Sequence, residues 1–158
     1  MTKTSLSELL QSKAEEARKN KDVIDEWVDA LDKLFVQLES WLDVVDPKKV
    51  LIVTKVIRDV SEPNLGRYSA PYLNINAFGQ WVGVIPKARK TIKTARPPQS
   101  GAPERATGRV DITNEIRRYV LYRFTNDDGH SWFIEGPSQD IVPLTQERFE
   151  EALMSYLL

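Results

Sequence analysis

The sequence contains no cysteine and a single histidine, His130. A disulfide framework, a thiolate-bound zinc, an iron–sulfur cluster, a cysteine nucleophile and any multi-histidine metal centre are therefore outside its chemistry. Its seven glycines form neither a Walker-type phosphate loop nor a Gly-x-Gly-x-x-Gly run, so nucleotide-dependent enzymology has no motif to stand on. No Gly-x-Ser-x-Gly turn occurs. Long apolar runs are missing as well. The longest is Val50–Val53, far short of the ~18–20 residues with which a helix spans a bilayer. Met1–Ser12 lacks the apolar centre of a secretory signal, so a cytoplasmic location is expected. Nor does one sign of charge dominate. The 22 Lys and Arg stand against 23 Asp and Glu, a net charge of −1, which gives the whole chain no pull toward nucleic acid or an acidic membrane.

What is present is the composition of an ordinary globular chain: 158 residues, 41% hydrophobic and 28% charged, enough for one domain. The N-terminal third is helical in pattern. Ser5 and Glu8 have capping-box spacing, and Leu6, Leu9 and Leu10 follow as a short apolar face. Lys19–Asp22 is polar and could be a solvated turn or a break, with Asp22 as a second N-cap. Beyond it Ile24, Trp27, Leu31, Leu34, Leu38, Trp41 and Val45 recur at alternating three- and four-residue steps, a heptad seam. Val28, Phe35 and Leu42 widen the stripe, and Asp46-Pro47 ends it. Asp22, Asp25, Glu26, Asp29, Asp32 and Asp43 fall on the opposite arc. Between Asp22 and Asp46 eight acids face one base, Lys33, so this helix is both amphipathic and anionic.

From Lys49 the hydrophobic period changes to two. Val50–Val60 reads as a strand. Tyr72–Asn76 and Trp81–Ile85 flank a tight turn at Phe78-Gly79-Gln80, and Pro86 is expected to close the second of them. Arg109–Ile112 is a short strand. Arg117–Thr125 and His130–Glu135 make a hairpin around Asn126–Gly129. Thr145 or its neighbour caps a terminal helix whose inner face is Phe149, Leu153, Tyr156 and Leu157. The fold class is therefore α+β: a long N-terminal amphipathic helix in one or two pieces, an antiparallel meander of about five to six strands, and a C-terminal helix. A single domain, 1–158, is expected, with a helical segment 5–46, a sheet 49–136 and the helix 144–158. Within the sheet, Lys87–Thr107 is rich in proline and bases and has no apolar period, so a long mobile loop is expected at 87–107.

Three features could carry function. First, from Lys87 to Arg118 nine bases face three acids. Lys87, Arg89, Lys90, Lys93, Arg96, Arg117 and Arg118 are candidates for binding a polyanion, although the loop offers no aromatic ring for base stacking. Second, the seam Ile24, Trp27, Leu31, Leu34, Leu38, Trp41 and Val45, or its continuation at Leu6–Ala17, could join two subunits or a partner helix, or the seam could pack on its own sheet. Two tryptophans suit a sheet better than a tight helix pair. Third, Tyr68, Tyr72, Trp81, Tyr119, Tyr122 and Trp132 could line a ligand pocket if several share a sheet face. On the last long strand Val120, Tyr122 and Phe124 read as core, while Tyr119, Leu121 and Arg123 form a mixed face. His130, Ser131, Asp127 and Asp128 have the letters of a hydrolase, but adjacent strand residues point to opposite faces. Asp25 with Asp29 reads as a solvated pair, not a cation site.

No catalytic, cofactor-binding or metal-ligating residue is assigned, and no cofactor is expected. The leading expectation is a non-enzymatic protein–protein interaction or oligomerisation domain, with a second copy or another protein as partner. The alternative is a nucleic-acid- or polyanion-binding accessory protein using 87–118. A weaker one is a small-ligand binder or enzyme using the aromatic sheet face. No membrane partner is expected.

Overall fold

The structure is a computed structural model describing residues 5–91, 94–95, 104–127, 129–137 and 140–157. Its elements are α1 (Leu6–Val45), β1 (Ile52–Glu62), β2 (Gly66–Ala77), β3 (Gln80–Ala88), β4 (Thr94–Ala95), β5 (Glu104–Arg105), β6 (Arg109–Thr113), β7 (Arg118–Asn126), β8 (Gly129–Glu135), β9 (Val142–Pro143) and α2 (Gln146–Leu157). Seven strands form one antiparallel sheet in the order β1-β2-β3-β6-β7-β8-β9, and β4 pairs with β5 apart from it. The α+β architecture is the one the periodicities predict, with a slightly larger sheet. Among the described residues no helix is long and apolar enough to cross a membrane.

Helix α1 starts where the side chain of Ser5 accepts a hydrogen bond from the Glu8 amide at 3.1 Å. It ends at Asp46, whose carboxylate accepts the amides of Val50 and Leu51 at 2.8 Å each and so turns the chain into β1. Of the one-helix and two-helix readings the first holds: α1 runs unbroken through Lys19–Asp22 for 40 residues. That stretch holds no proline or glycine. A break would open two new sets of unpaired amides and carbonyls, whereas propagation adds one bond per residue.

The seam lies against the chain's own sheet. Trp27, Leu31, Leu34, Phe35, Leu38 and Leu42 are buried with Leu73 and Ile75 of β2, Val82 and Val84 of β3, Val110 and Ile112 of β6, and Leu121 of β7. Helix α2, capped by the Thr145 hydroxyl on the Arg148 amide at 3.2 Å, adds Phe149, Leu153 and Tyr156 to the same core. Trp41 packs against this core with its ring 6.0 Å from that of Phe149, but it is only partly buried. Trp41→Ala should therefore cost about 2 kcal/mol, less than a fully enclosed tryptophan, in urea denaturation; a loss under about 1 kcal/mol would mean the ring adds no packing.

Three local readings are corrected. Pro86 does not end its strand: β3 continues to Ala88, with the register shift between Pro86 and Ala88 absorbing the proline. On β7 the face read as mixed is buried too: Leu121 and Arg123 turn inward beneath α1, both essentially inaccessible. Val120, Tyr122 and Phe124 form a smaller second core on the far side of the sheet with Phe133 and Ala106. Alternation separates two faces but does not say which one a helix will cover. Within the predicted loop 87–107, Lys87 and Ala88 belong to β3 and two short strands pair. Residues 92–93 and 96–103 lie outside the described residues, and the expected mobility falls largely on them.

Candidate functional site

The first half of α1 is the most exposed stretch among the described residues. Residues 5–19 are all exposed, and Leu6 and Leu10 keep 69% and 59% of their surface. At 1.5 Å per residue, the stretch from Leu6 to Asp22 forms an arm about 25 Å long. It needs no separate nucleation because it continues a docked helix. Stepping the seam backwards from Ile24 lands on Asn20, Ala17, Lys13, Leu10 and Leu6, with Leu9 alongside. The arm's apolar stripe is therefore in phase with the buried seam, and nothing among the described residues covers it. The seam residues themselves divide. Trp27, Leu31, Leu34 and Leu38 are buried by the sheet, Ile24 and Trp41 are partly covered, and Val45 is 49% exposed. The seam is thus not a free interface. The free surface lies one step earlier, on the continuation of the seam at Leu6–Ala17.

The candidate basic cluster is split by the fold. Lys87 at the end of β3 and Arg117 and Arg118 at the start of β7 line one cavity on the sheet face turned away from the helices. Arg89 instead turns into the body. It is half-buried, and burial, followed by the nearby Arg123 cation, lowers its pKa. The Lys90 ammonium donates to the Asn64 carbonyl at 3.0 Å. Lys93 and Arg96 lie outside the described residues. The run is therefore not one continuous basic strip.

Two carboxylates, one buried and one at the surface, organise this end of the molecule. Glu62, buried at the end of β1, accepts the Arg89 amide at 2.9 and 3.0 Å, the Lys90 amide at 3.1 Å and the Tyr68 hydroxyl. Desolvation, helped by this carboxylate, raises the Tyr68 phenol pKa. Glu26, expected on the solvated arc of α1, instead holds the buried Arg123. Both guanidinium Nη atoms reach its carboxylate, at 2.7 and 2.9 Å. Nε and Nη2 of Arg123 also donate to the Thr107 carbonyl, and the cation lies 5.0 Å from the Trp27 ring. The periodicity could not have separated Glu26 from its acidic neighbours; only the long-range register of β7 brings Arg123 beneath it.

The aromatic residues also divide between faces. Tyr119 packs edge-on against Tyr156, and Trp132 lies against Trp27, on the helix side. Trp81 and the ring of Tyr72 are on the other side, near Arg58. His130 and Ser131 sit on successive positions of β8, opposite Thr125 and Phe124, and border a cleft of 450 Å³ between α1 and β8 with Trp41 and Trp132. Burial, then Arg123, lowers the His130 pKa, so the imidazole is uncharged at neutral pH. Asp128 lies outside the described residues. No group of three acidic or histidine side chains able to hold a metal occurs among the described residues, and Asp25 with Asp29 forms no such group.

The fold and these surfaces define a small α+β domain in which one helix both seals the sheet and extends beyond it. The chain matches no protein-family model, and no curated protein or solved structure is significantly similar to it.

Proposed function

We propose that the chain is a self-associating interaction domain whose contact element is the arm, residues 6–22 of α1, and whose partner is a second copy. The observation that carries the reading is the stripe of Leu6, Leu9, Leu10 and Ala17, exposed yet in phase with a seam that is buried elsewhere on the same helix. Phase also supports one orientation. The stripe faces the side on which the chain's own sheet lies, so a parallel second helix would run into that sheet. An antiparallel arm places the two bodies at opposite ends and leaves the stripes free to meet about a two-fold axis. Charge agrees at one pair: with one arm reversed in this way, Glu8 comes opposite Lys19 of the second copy. With Leu10 opposite Ala17 of the second copy, the small residue lets the backbones approach, and the stem of Lys21 covers Leu6.

Sedimentation equilibrium tests this directly. The chain should run at twice its 18.1 kDa mass at micromolar concentration and dissociate on dilution. Leu6→Ser with Leu10→Ser should return it to 18.1 kDa without changing its circular dichroism at the body's melting temperature. A particle that stays monomeric up to high concentration, or a dimer indifferent to both substitutions, overturns the reading.

A further inference from the structure

The sheet face turned away from both helices carries a cavity of 660 Å³ between β3, β6 and the turn before β7. Its floor follows from register. Ile85 of β3 lies opposite Asp111 of β6, and Gly83 opposite Thr113. Gly83 is a strand glycine with a physical reason: a Cβ built there would come within 2.7 Å of Cζ2 of Trp81 and 2.9 Å of Cδ1 of Ile85. The indole therefore lies flat across the strand at this point. Its Nε1 donates to Oδ1 of Asn74 at 2.8 Å, which fixes the ring. Trp81 is thus a seated aromatic platform that lines a cavity instead of filling a core.

Around it the charge is unbalanced. Arg58, Lys87, Arg117 and Arg118 line the cavity against two carboxylates, Asp111 and Glu115. Asp111 is 1% exposed and already engaged: Arg109 grips it at 2.8 and 3.2 Å, and Arg118 approaches at 3.4 Å. Arg117 is turned toward α2, its guanidinium donating to the Ser155 carbonyl beside the Tyr156 ring. That leaves Arg58 and Lys87. Nη2 of Arg58 donates to the Pro86 carbonyl at 3.1 Å, which holds the guanidinium one residue from Lys87, and its Nε is buried with no partner. Neither cation has a carboxylate partner among the described residues. Ile85, Ile116 and Pro137 complete an apolar wall. A bare inorganic ion would use the cations and leave the platform and wall idle; a neutral ring would leave the cations unpaired.

We infer that this cavity binds a small organic anion built on a flat ring, an aromatic carboxylate or phosphate monoester, with the ring on Trp81 and the anionic group at Arg58 and Lys87. The site is on the opposite side of the sheet from the α1 stripe, so it does not rest on self-association. Guanidinium suits the planar two-oxygen edge that carboxylates and phosphates share, and a cavity of this size is ordinary for such ligands.

Isothermal titration with phenyl phosphate and with benzoate tests the inference and separates the two anion sources, with inorganic phosphate and benzyl alcohol as the half-ligands. At least one of the two aromatic anions should bind about tenfold or more tighter than either half-ligand. Trp81→Ala should weaken it about tenfold, in line with loss of a stacking platform. Lys87→Gln, at an exposed position that folding does not need, should weaken it several-fold and flatten its salt dependence. The Leu6→Ser, Leu10→Ser chain should bind as the unaltered one does, whatever its mass. Equal affinity for the aromatic anions and the half-ligands, or indifference to Lys87→Gln, overturns the inference. Oligothymidylate binding tighter than phenyl phosphate through the same residues would overturn it too, and would make the face a nucleic-acid surface.

Discussion

Gly108→Ala should destabilise the fold by about 3 kcal/mol, the upper end of what overpacking costs, and lower the melting temperature by roughly 6–12 °C for a chain of this size. The cause is one contact. A Cβ at Gly108 would lie 2.3 Å from Cζ3 and 2.5 Å from Cη2 of Trp27. Trp27 is fully buried and cannot swing aside, because Arg123 stacks 5.0 Å from its ring and Trp132 lies 6.0 Å away. Gly108 itself is held in place: its carbonyl accepts the Arg123 amide at 3.0 Å. Urea unfolding measures the loss, and a second substitution identifies its source. In a Trp27→Leu background, Gly108→Ala should cost far less than it does alone, the sign of a shared steric contact. A single-mutant loss below about 1 kcal/mol would show that the ring has room to move.

Glu26→Ala should be the second severe change, about 3 kcal/mol, and worse than removing the partner, Arg123→Met. The two ends of this ion pair are unequal. The Arg123 side chain is 1% exposed, whereas that of Glu26 is 54% exposed. Removing the carboxylate strands a cation away from water, the costly way to break such a pair. Removing the cation returns a carboxylate to solvent and leaves one carbonyl, that of Thr107, without its donor, which costs only about 1–2 kcal/mol. Equilibrium unfolding of both variants at neutral pH gives the comparison; the reverse order would mean that water reaches Arg123. The same pair predicts an acid dependence. The Arg123 hydrogen bond holds the Glu26 carboxyl below its ordinary value of 4.5 against an opposing effect of burial. A group whose pKa is depressed on folding stabilises the fold fully above its unfolded value and loses that contribution as pH falls through the folded one. The wild-type chain should therefore lose stability below about pH 4.5, and Glu26→Ala should lack this component, so the two curves converge in acid.

These two positions also mark where local pattern stops being informative. Glu26 belongs to an acidic arc that reads as solvated, and five of its neighbours on that arc are unremarkable surface charges. What sets it apart is that β7, ninety-seven residues later, places a buried arginine beneath it. Gly108 sits in a stretch that reads as loop, and nothing in its neighbours shows that a tryptophan from α1 will occupy the space above it. Gly83 is the partial exception. A glycine inside an otherwise β-branched strand signals a close approach, and the residue that approaches is Trp81, two positions away.

Local chemistry alone determined the elements and their order: the capped start of α1, its seam, the turns at Phe78-Gly79 and before Gly129, the capped C-terminal helix, and an antiparallel sheet between the helices. Those features depend on neighbours within a few residues, where side-chain period and cap chemistry act directly. Tertiary structure decided which face of β7 the helices cover, that α1 continues through Lys19–Asp22 as a bare arm, and that Lys87 and Arg118 meet Arg58 and Trp81 while Arg89 turns away. Each of these depends on strand register and on which surface is left after the core closes, and both are properties of pairings between residues far apart in the chain.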